Sequence, residues 1–141
     1  MTMNEYFENK KGYGLIFLRL VIGLRLVLGV WDSIVDWQQM LGVREFFEQA
    51  HIPFPMFSAF TAVYAEFIGG VLVILGLWIR PASILLIITF LIAIIFIDMH
   101  NPFVQSFSAW VILASSFTFL FCGAGRISMD EWLRKRAKSR S

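Results

Sequence analysis

The chain has 141 residues, of which 58% are hydrophobic and only 16% are charged, and its formal net charge is +2. Soluble chains typically contain roughly 45–50% apolar and about 25% charged residues, and a small domain buries only part of its surface. The composition therefore excludes an ordinary soluble domain. It also excludes a disordered, collagen-like or disulfide-rich protein, because the chain has one Cys and no repeat. The excess apolar surface is expected to face lipid.

Four apolar segments follow one another along the chain, and each approaches the roughly 20 residues that a helix needs to cross a bilayer. We place them at about 13–37, 56–79, 82–99 and 104–122. Pro81, Asn101-Pro102 and Gly123 separate or end these segments, as turn and helix-stop residues do. The sequence thus predicts an all-α, four-helix integral membrane bundle that forms a single domain over residues 1–141.

The basic residues predict how this bundle is oriented. If four helices cross, nine of the 12 Lys and Arg residues fall on one side of the membrane, and only Arg44 falls on the other. Cytoplasmic flanks of membrane helices are enriched in Lys and Arg. We therefore predict that both termini are cytoplasmic and that the chain is a multi-pass protein of a bacterial inner membrane.

Two short helices are predicted outside the bilayer. Between Gln38 and Pro55, apolar residues recur at helical spacing, which predicts a short amphipathic helix in the outer loop. This helix either seals the bundle or offers a surface for a partner or for substrate access. The tail, over about 128–138, begins with a Ser128-x-x-Glu131 capping box and continues into basic residues. We expect it to lie on anionic lipid headgroups and not to bind nucleic acid.

Ionisable residues inside the spans are the candidate functional residues, because charges in hydrocarbon are costly. At about 1.5 Å per residue, Arg25 and Glu66 lie roughly 18 and 21 Å from the cytoplasmic ends of their spans, so they can pair near mid-membrane. Asp32 and Asp36 follow Arg25 at spacings of seven and four residues, which places all three on one helix face. Arg19 lies only about 9 Å deep and can extend to the headgroups. We expect Arg25, Asp32 and Glu66 to face inward.

Two interpretations of the inward charges remain open. A network of buried ion pairs would fix the register of the helices, whereas a polar pocket around Glu66 and Arg25 would bind a ligand or carry protons. The aromatic residues that could line such a pocket are Trp31, Tyr64 and Trp110. The sequence shows no clear metal site and no flavin, haem or iron–sulfur motif, so no intrinsic cofactor is expected.

The two histidines lie on the outer side of the predicted bundle. His51 falls in a loop, which argues against a pair of haem ligands. Asp98 and His100 lie at the outer end of the third span, where three interpretations stay open: a weak metal site, a role with quinone or protons, and a turn cap.

Small residues predict which helix faces touch. Gly23 and Gly29 lie in the first span, and Gly69 and Gly70 lie in the second. Small residues let membrane helices approach closely, so we interpret these glycines as packing residues.

Six short motifs, in their order along the chain, resemble the DoxX family of small membrane proteins. They are Arg19-Leu-Val-Ile-Gly23, Gly29, His51-Ile-Pro-Phe-Pro55, Glu66-Phe-Ile-Gly-Gly70, Leu75-Gly-Leu-Trp-Ile-Arg80 and Gly123-Ala-Gly-Arg-Ile-Ser-Met-Asp130. No single motif is specific, but their order and spacing together are. The resemblance runs from about Leu15 to Leu133.

The resemblance implies a four-helix membrane bundle with both termini inside and a role in membrane redox systems. Family members include a small subunit of a quinol oxidase, a thiosulfate:quinone oxidoreductase, and components of oxidative-stress or quinone-detoxification complexes. The family's Arg in the first span corresponds to Arg19, and its acid in the second span corresponds to Glu66. The family commonly has a Lys where this chain has Asp32, and here the basic charge on that face is Arg25.

The leading hypothesis is therefore an inner-membrane protein that binds quinone and works with a redox-protein partner or as a homo-oligomer. Its candidate catalytic residues are Glu66, Arg25, Arg19 and Asp32. Two alternatives are a non-catalytic assembly or scaffold subunit and a carrier of small solutes or protons.

Overall fold

The computed structural model describes residues 2–8 and 10–140, and within these ranges it contains helices and no strand. The prediction of an all-α fold is confirmed. The α-helices are α1 (Met3–Glu8), α2 (Lys11–Val35), α3 (Trp37–Gln49), α4 (Pro55–Leu75), α5 (Ile79–Phe96), α6 (Phe103–Cys122) and α7 (Met129–Lys138). A short 3-10 helix, Asp98–His100, connects α5 to α6.

Four of these helices, α2, α4, α5 and α6, are long and apolar enough to cross a membrane. They correspond to the four predicted spans, and the chain is a multi-pass membrane protein in contact with lipid. α4 ends at Leu75, before the predicted boundary, because Gly76 adopts a left-handed conformation (φ 67°) that stops the helix. α5 begins at Ile79 and carries Pro81 in its first turn, where a missing N–H is tolerated.

The first span ends at Val35, and Asp36 lies outside it. The backbone at Asp36 is extended (φ −120°, ψ 116°), and its carboxylate accepts a 2.9 Å hydrogen bond from the Gln38 amide. Asp36 therefore caps α3. The prediction that Asp36 shares a helix face with Arg25 and Asp32 is wrong.

The long helices pack in chain order: α2 on α4, α4 on α5, and α5 on α6. α2 and α6 touch only slightly, so the bundle is open along the flank between its first and last spans. α3 packs on α2 and α4. We call the end of the bundle with α3 and residues 98–100 the loop end. We call the end with residues 10–12, 76–80 and 123–140 the terminal end.

Glycines allow α2 and α4 to approach closely. A Cβ built on Gly70 would lie 2.9 Å from the Leu26 Cβ and 3.1 Å from the Gly23 carbonyl oxygen. A Cβ on Gly69 would lie 2.8 Å from Leu86 of α5. The interpretation of Gly23, Gly69 and Gly70 as packing residues is confirmed.

The tail forms α7, and its N-terminus is capped as the sequence predicts. The Ser128 hydroxyl accepts a 3.2 Å hydrogen bond from the Glu131 amide. The Glu131 carboxylate forms an ion pair with Arg134, at 2.6 Å. The interfacial position of α7, the outer position of α3 and the cytoplasmic position of both termini stay predictions.

Candidate functional site

Arg19 is almost completely buried, with 3% of its surface exposed. Its guanidinium donates hydrogen bonds to the carbonyl oxygens of Val73 (2.9 Å), Ile74 (3.0 Å), Ala124 (2.9 Å) and Ile127 (2.8 Å). The last carbonyls of a helix have no partner within it, and Arg19 supplies one at the end of α4. The prediction that Arg19 extends to the headgroups is therefore wrong.

Further contacts join Arg19 to two other motifs at the terminal end. Gly76 packs directly against the Arg19 guanidinium, and its carbonyl accepts a 3.2 Å hydrogen bond from the Asp130 amide. The Asp130 carboxylate accepts hydrogen bonds from the amides of Trp78 (3.0 Å) and Ile79 (3.4 Å) at the start of α5. Sequence reasoning missed this role of Asp130, because the helix that it caps lies far away in the chain. Arg19, Gly76 and Asp130 form what we call the Arg19 cluster.

Glu66 lies on the inward side of α4 and is partly buried. It follows the buried Val63 by three residues and precedes the buried Gly70 by four, and residues at these spacings share a helix face. Gly70 contacts Leu26 of α2, whereas the Phe67 ring lies 6.3 Å from the Trp31 ring. Glu66 is therefore level with the part of α2 between residues 26 and 31, well inside the span.

Arg25 brings a positive charge to the same level. Its guanidinium runs along α2 and covers Gly29, in the space that a Cβ would need. Arg25 and Glu66 carry opposite charges, but no ion pair joins them. Gly29 thus makes room for Arg25 and does not contact another helix, so its interpretation as a packing residue is wrong.

Arg25 and Asp32 are both exposed. They share a helix face, as their spacing of seven residues predicts, but this face is not the one that packs on α4. Gly23 and Leu26 occupy the face of α2 that meets α4. The expectation that Arg25 and Asp32 face inward is therefore wrong, and only Glu66 lies on an inward face.

The three candidate aromatic residues do not converge on Glu66. Tyr64 precedes it by two residues, or about 200° around the helix, and stacks on Phe60 with ring centroids 6.1 Å apart. Trp110 is exposed on α6. Trp31 packs on Phe67, the residue after Glu66, and it is the one that borders the site.

Asp98 and His100 lie in the 3-10 helix at the loop end. The Asp98 carbonyl accepts hydrogen bonds from the Asn101 amide (3.0 Å) and the Ser106 hydroxyl (3.4 Å), whereas His100 is exposed. These bonds favour the turn interpretation of this segment. Within the described ranges, no group of three or more His, Cys, Asp or Glu side chains could hold a metal ion.

Two surface cavities lie elsewhere. The larger, of about 1060 Å³, is at the terminal end beside the Arg19 cluster, and a second, of about 450 Å³, lies at the loop end near Arg44 and Phe54. Neither cavity includes Glu66 or Arg25.

The chain is similar to known proteins over most of its length. The family model described as DoxX matches residues 14–99. A protein of Bacillus subtilis (strain 168), named "Putative oxidoreductase CatD", is 29% identical over 138 residues, which cover 97% of this chain and 96% of that protein. No solved structure matches the chain significantly.

Proposed function

Because the chain belongs to the DoxX family, we propose that it is a quinone-binding component of a redox system in a bacterial inner membrane. One observation supports the proposal: Glu66 and Arg25 place opposite charges at the same level of the spans, in a bundle that is open between α2 and α6. The relative from Bacillus subtilis is named as an oxidoreductase, which agrees with redox chemistry.

The open flank suits a ligand that is dissolved in the bilayer. A quinone is lipid-soluble and carries two carbonyl oxygens on an apolar ring, so it needs an apolar surface with a few hydrogen-bonding groups. Arg25 can donate a hydrogen bond to one oxygen, and the Glu66 carboxyl can bind or release a proton. The Trp31–Phe67 pair next to Glu66 offers the apolar surface.

Reduction of a quinone to a quinol consumes two electrons and two protons. A redox-protein partner would supply the electrons, since the chain contains no flavin, haem or iron–sulfur motif. Glu66 would deliver one proton and regain it from water, and water would supply the second proton. The Arg25 guanidinium would stabilise the negative charge that develops on the quinone oxygen. Arg19 has no part in this step, because its guanidinium is bonded to main-chain carbonyls.

The proposal is tested by titrating purified protein in lipid nanodiscs with a short-chain quinone. Glu66→Gln and Arg25→Gln are each expected to weaken binding by about tenfold or more, because each removes a hydrogen bond that involves a charged group. Gly29→Ala should act in the same direction, because its Cβ displaces the Arg25 guanidinium. Glu48→Gln, on the exposed surface of α3, and Gly14→Ala, which has open space around it, are the matched controls. Absence of quinone binding to the natural protein would contradict the proposal.

A second candidate function, an accessory subunit without activity, is favoured by the exposure of Arg25 and Asp32. A charged side chain near the bilayer centre costs about 2.5–3.5 kcal/mol on insertion scales, and a partner helix that covers the α2 flank would relieve this cost. In that case the protein would co-purify with a larger complex, Arg25→Leu would abolish co-purification, and no variant would alter quinone binding.

A further inference from the structure

The larger cavity is a groove at the terminal end, separate from Glu66 and Arg25. It lies between the first turn of α5, the residues that follow α6, and the first turn of α7. Its charged lining residues are Arg80, Arg126, Asp130, Glu131 and Arg134. Because these residues come from distant parts of the chain, only the folded protein brings them together.

Both acidic residues of the groove already have partners within the protein. Asp130 accepts hydrogen bonds from the amides of Trp78 and Ile79. Glu131 pairs with Arg134 at 2.6 Å and lies 3.9 Å from Lys135. The hydrogen bond from Arg134 lowers the pKa of Glu131, so this carboxylate stays ionised and bound to its own cations.

Arg80 and Arg126, in contrast, form no ion pair with any residue in 2–8 or 10–140, and both are exposed. The Arg80 guanidinium passes Gly123, and a Cβ there would lie 3.9 Å from its Nε and Nη2 atoms. The Cβ of Arg126 packs against Gly12, and it would lie 3.6 Å from a Cβ built on that glycine. Two guanidinium groups without carboxylate partners suit an anion with several oxygens, because each can donate two parallel hydrogen bonds.

The depth of the groove indicates where such an anion comes from. Arg80 is the second residue of the α5 span, and Cys122 is the last residue of the α6 span. The groove therefore lies where the hydrocarbon ends and the lipid headgroups begin. Trp78, which is exposed at the same level, is a residue type that is enriched in this zone.

We propose that Arg80 and Arg126 bind the phosphate group of an anionic phospholipid in this groove. A soluble phosphate compound offers the same chemistry, but the position at the ends of two spans favours a lipid headgroup. The basic residues of α7 would hold the same membrane surface nearby. The site stands independently of quinone binding.

The experiment titrates phosphatidylglycerol into the detergent-solubilised protein and measures bound lipid by native mass spectrometry, with phosphatidylcholine as the reference lipid. The natural protein should prefer phosphatidylglycerol. The double variant Arg80→Gln/Arg126→Gln should bind this lipid about tenfold or more weakly, because each basic residue near the membrane surface raises the affinity about fivefold. The double variant Arg136→Gln/Arg140→Gln removes the same charge from α7 and the residues after it, outside the groove, and is the matched control. Arg80→Lys/Arg126→Lys should retain an intermediate affinity.

A second titration with inorganic phosphate separates the two sources. Phosphate binding that is lost in the Arg80/Arg126 variant, without a preference for phosphatidylglycerol, would overturn the assignment to lipid. Equal losses in the groove variant and in the α7 control would show diffuse attraction and overturn the site itself. Thermal unfolding of each variant in the same detergent checks that it is folded.

Discussion

Arg19 and Arg25 lie in the same span, six residues apart, and have opposite surroundings. Arg19 is buried and joins the end of α4 to the segment after α6 through four hydrogen bonds. Arg25 is exposed and covers Gly29. The first holds the terminal end together, and the second is available to a ligand or a partner.

The structure predicts a large loss of stability when Arg19 is replaced. Arg19→Met removes a hydrogen bond from each of four main-chain carbonyls, of which Val73 keeps a bond from the Gly76 amide. We expect it to lower the free energy of unfolding by about 3 kcal/mol or more. Arg19→Lys keeps the charge but not the planar fork, so its effect should be smaller. Unfolding in mixed micelles measures both changes. Arg44→Met, which loses only a 3.4 Å surface pair with Glu48, should cost less than about 1 kcal/mol; a similar loss in both Met variants would refute the role of Arg19.

The position of these residues along their spans could be predicted, but their surroundings could not. Counting the rise per residue predicts that Arg25 and Glu66 lie well inside the spans. The contacts of Gly70 with Leu26 and of Phe67 with Trp31 agree with this. Whether Arg25 turns inward depends on which face of α2 meets α4, and close contacts at Gly23 and Leu26 decide that. The Gly29 contact also depends on a side-chain conformation that spacing does not encode.

At the scale of elements, the α2–α4 contact is the one that positions Glu66 opposite Arg25. Gly70 meets Leu26 and the Gly23 carbonyl at distances that leave no room for a methyl group. Both of these neighbours are close to the backbone, so they cannot move aside without moving the helix.

Gly70→Ala should therefore separate α2 from α4. We expect it to lower the free energy of unfolding by roughly 1–3 kcal/mol, the range for overpacking in a tight core. Gly14 lies in α2 and has open space around it. Gly14→Ala should therefore be neutral or slightly stabilising, because Ala favours a helix. Unfolding in micelles measures both, and quinone titration of Gly70→Ala shows whether the altered contact disturbs the site. Equal stability of the two variants would contradict the packing.

The four spans could be predicted from their apolar length, but their ends could not be fixed to the residue. The first span stops at Val35 because Asp36 bonds to the Gln38 amide and starts α3. The end of α4 depends on the left-handed Gly76 and on the Arg19 cluster around it. Both boundaries are set by hydrogen bonds that an apolar pattern does not contain.

At the scale of the whole molecule, the four spans form an open bundle with charges distributed unequally between its ends. Nine of the 12 Lys and Arg residues lie at the terminal end, and Arg44 lies in α3. The contact of Arg126 with Gly12 shows that the first and last spans have these ends on the same side. The phosphate site proposed for the groove needs this end to face a leaflet that contains anionic lipid.

The positive-inside rule then predicts that the terminal end faces the cytoplasm. In a Cys122→Ser background, Ser139→Cys places a thiol just after α7, and Gln49→Cys places one at the end of α3; both positions are exposed. A membrane-impermeant maleimide added to bacterial spheroplasts, whose inner membrane is intact, should label the thiol at 49 and not the thiol at 139. Inverted vesicles should give the reverse pattern. Labelling at 139 in the spheroplasts would place the terminal end outside. The groove would then not face the cytoplasmic leaflet.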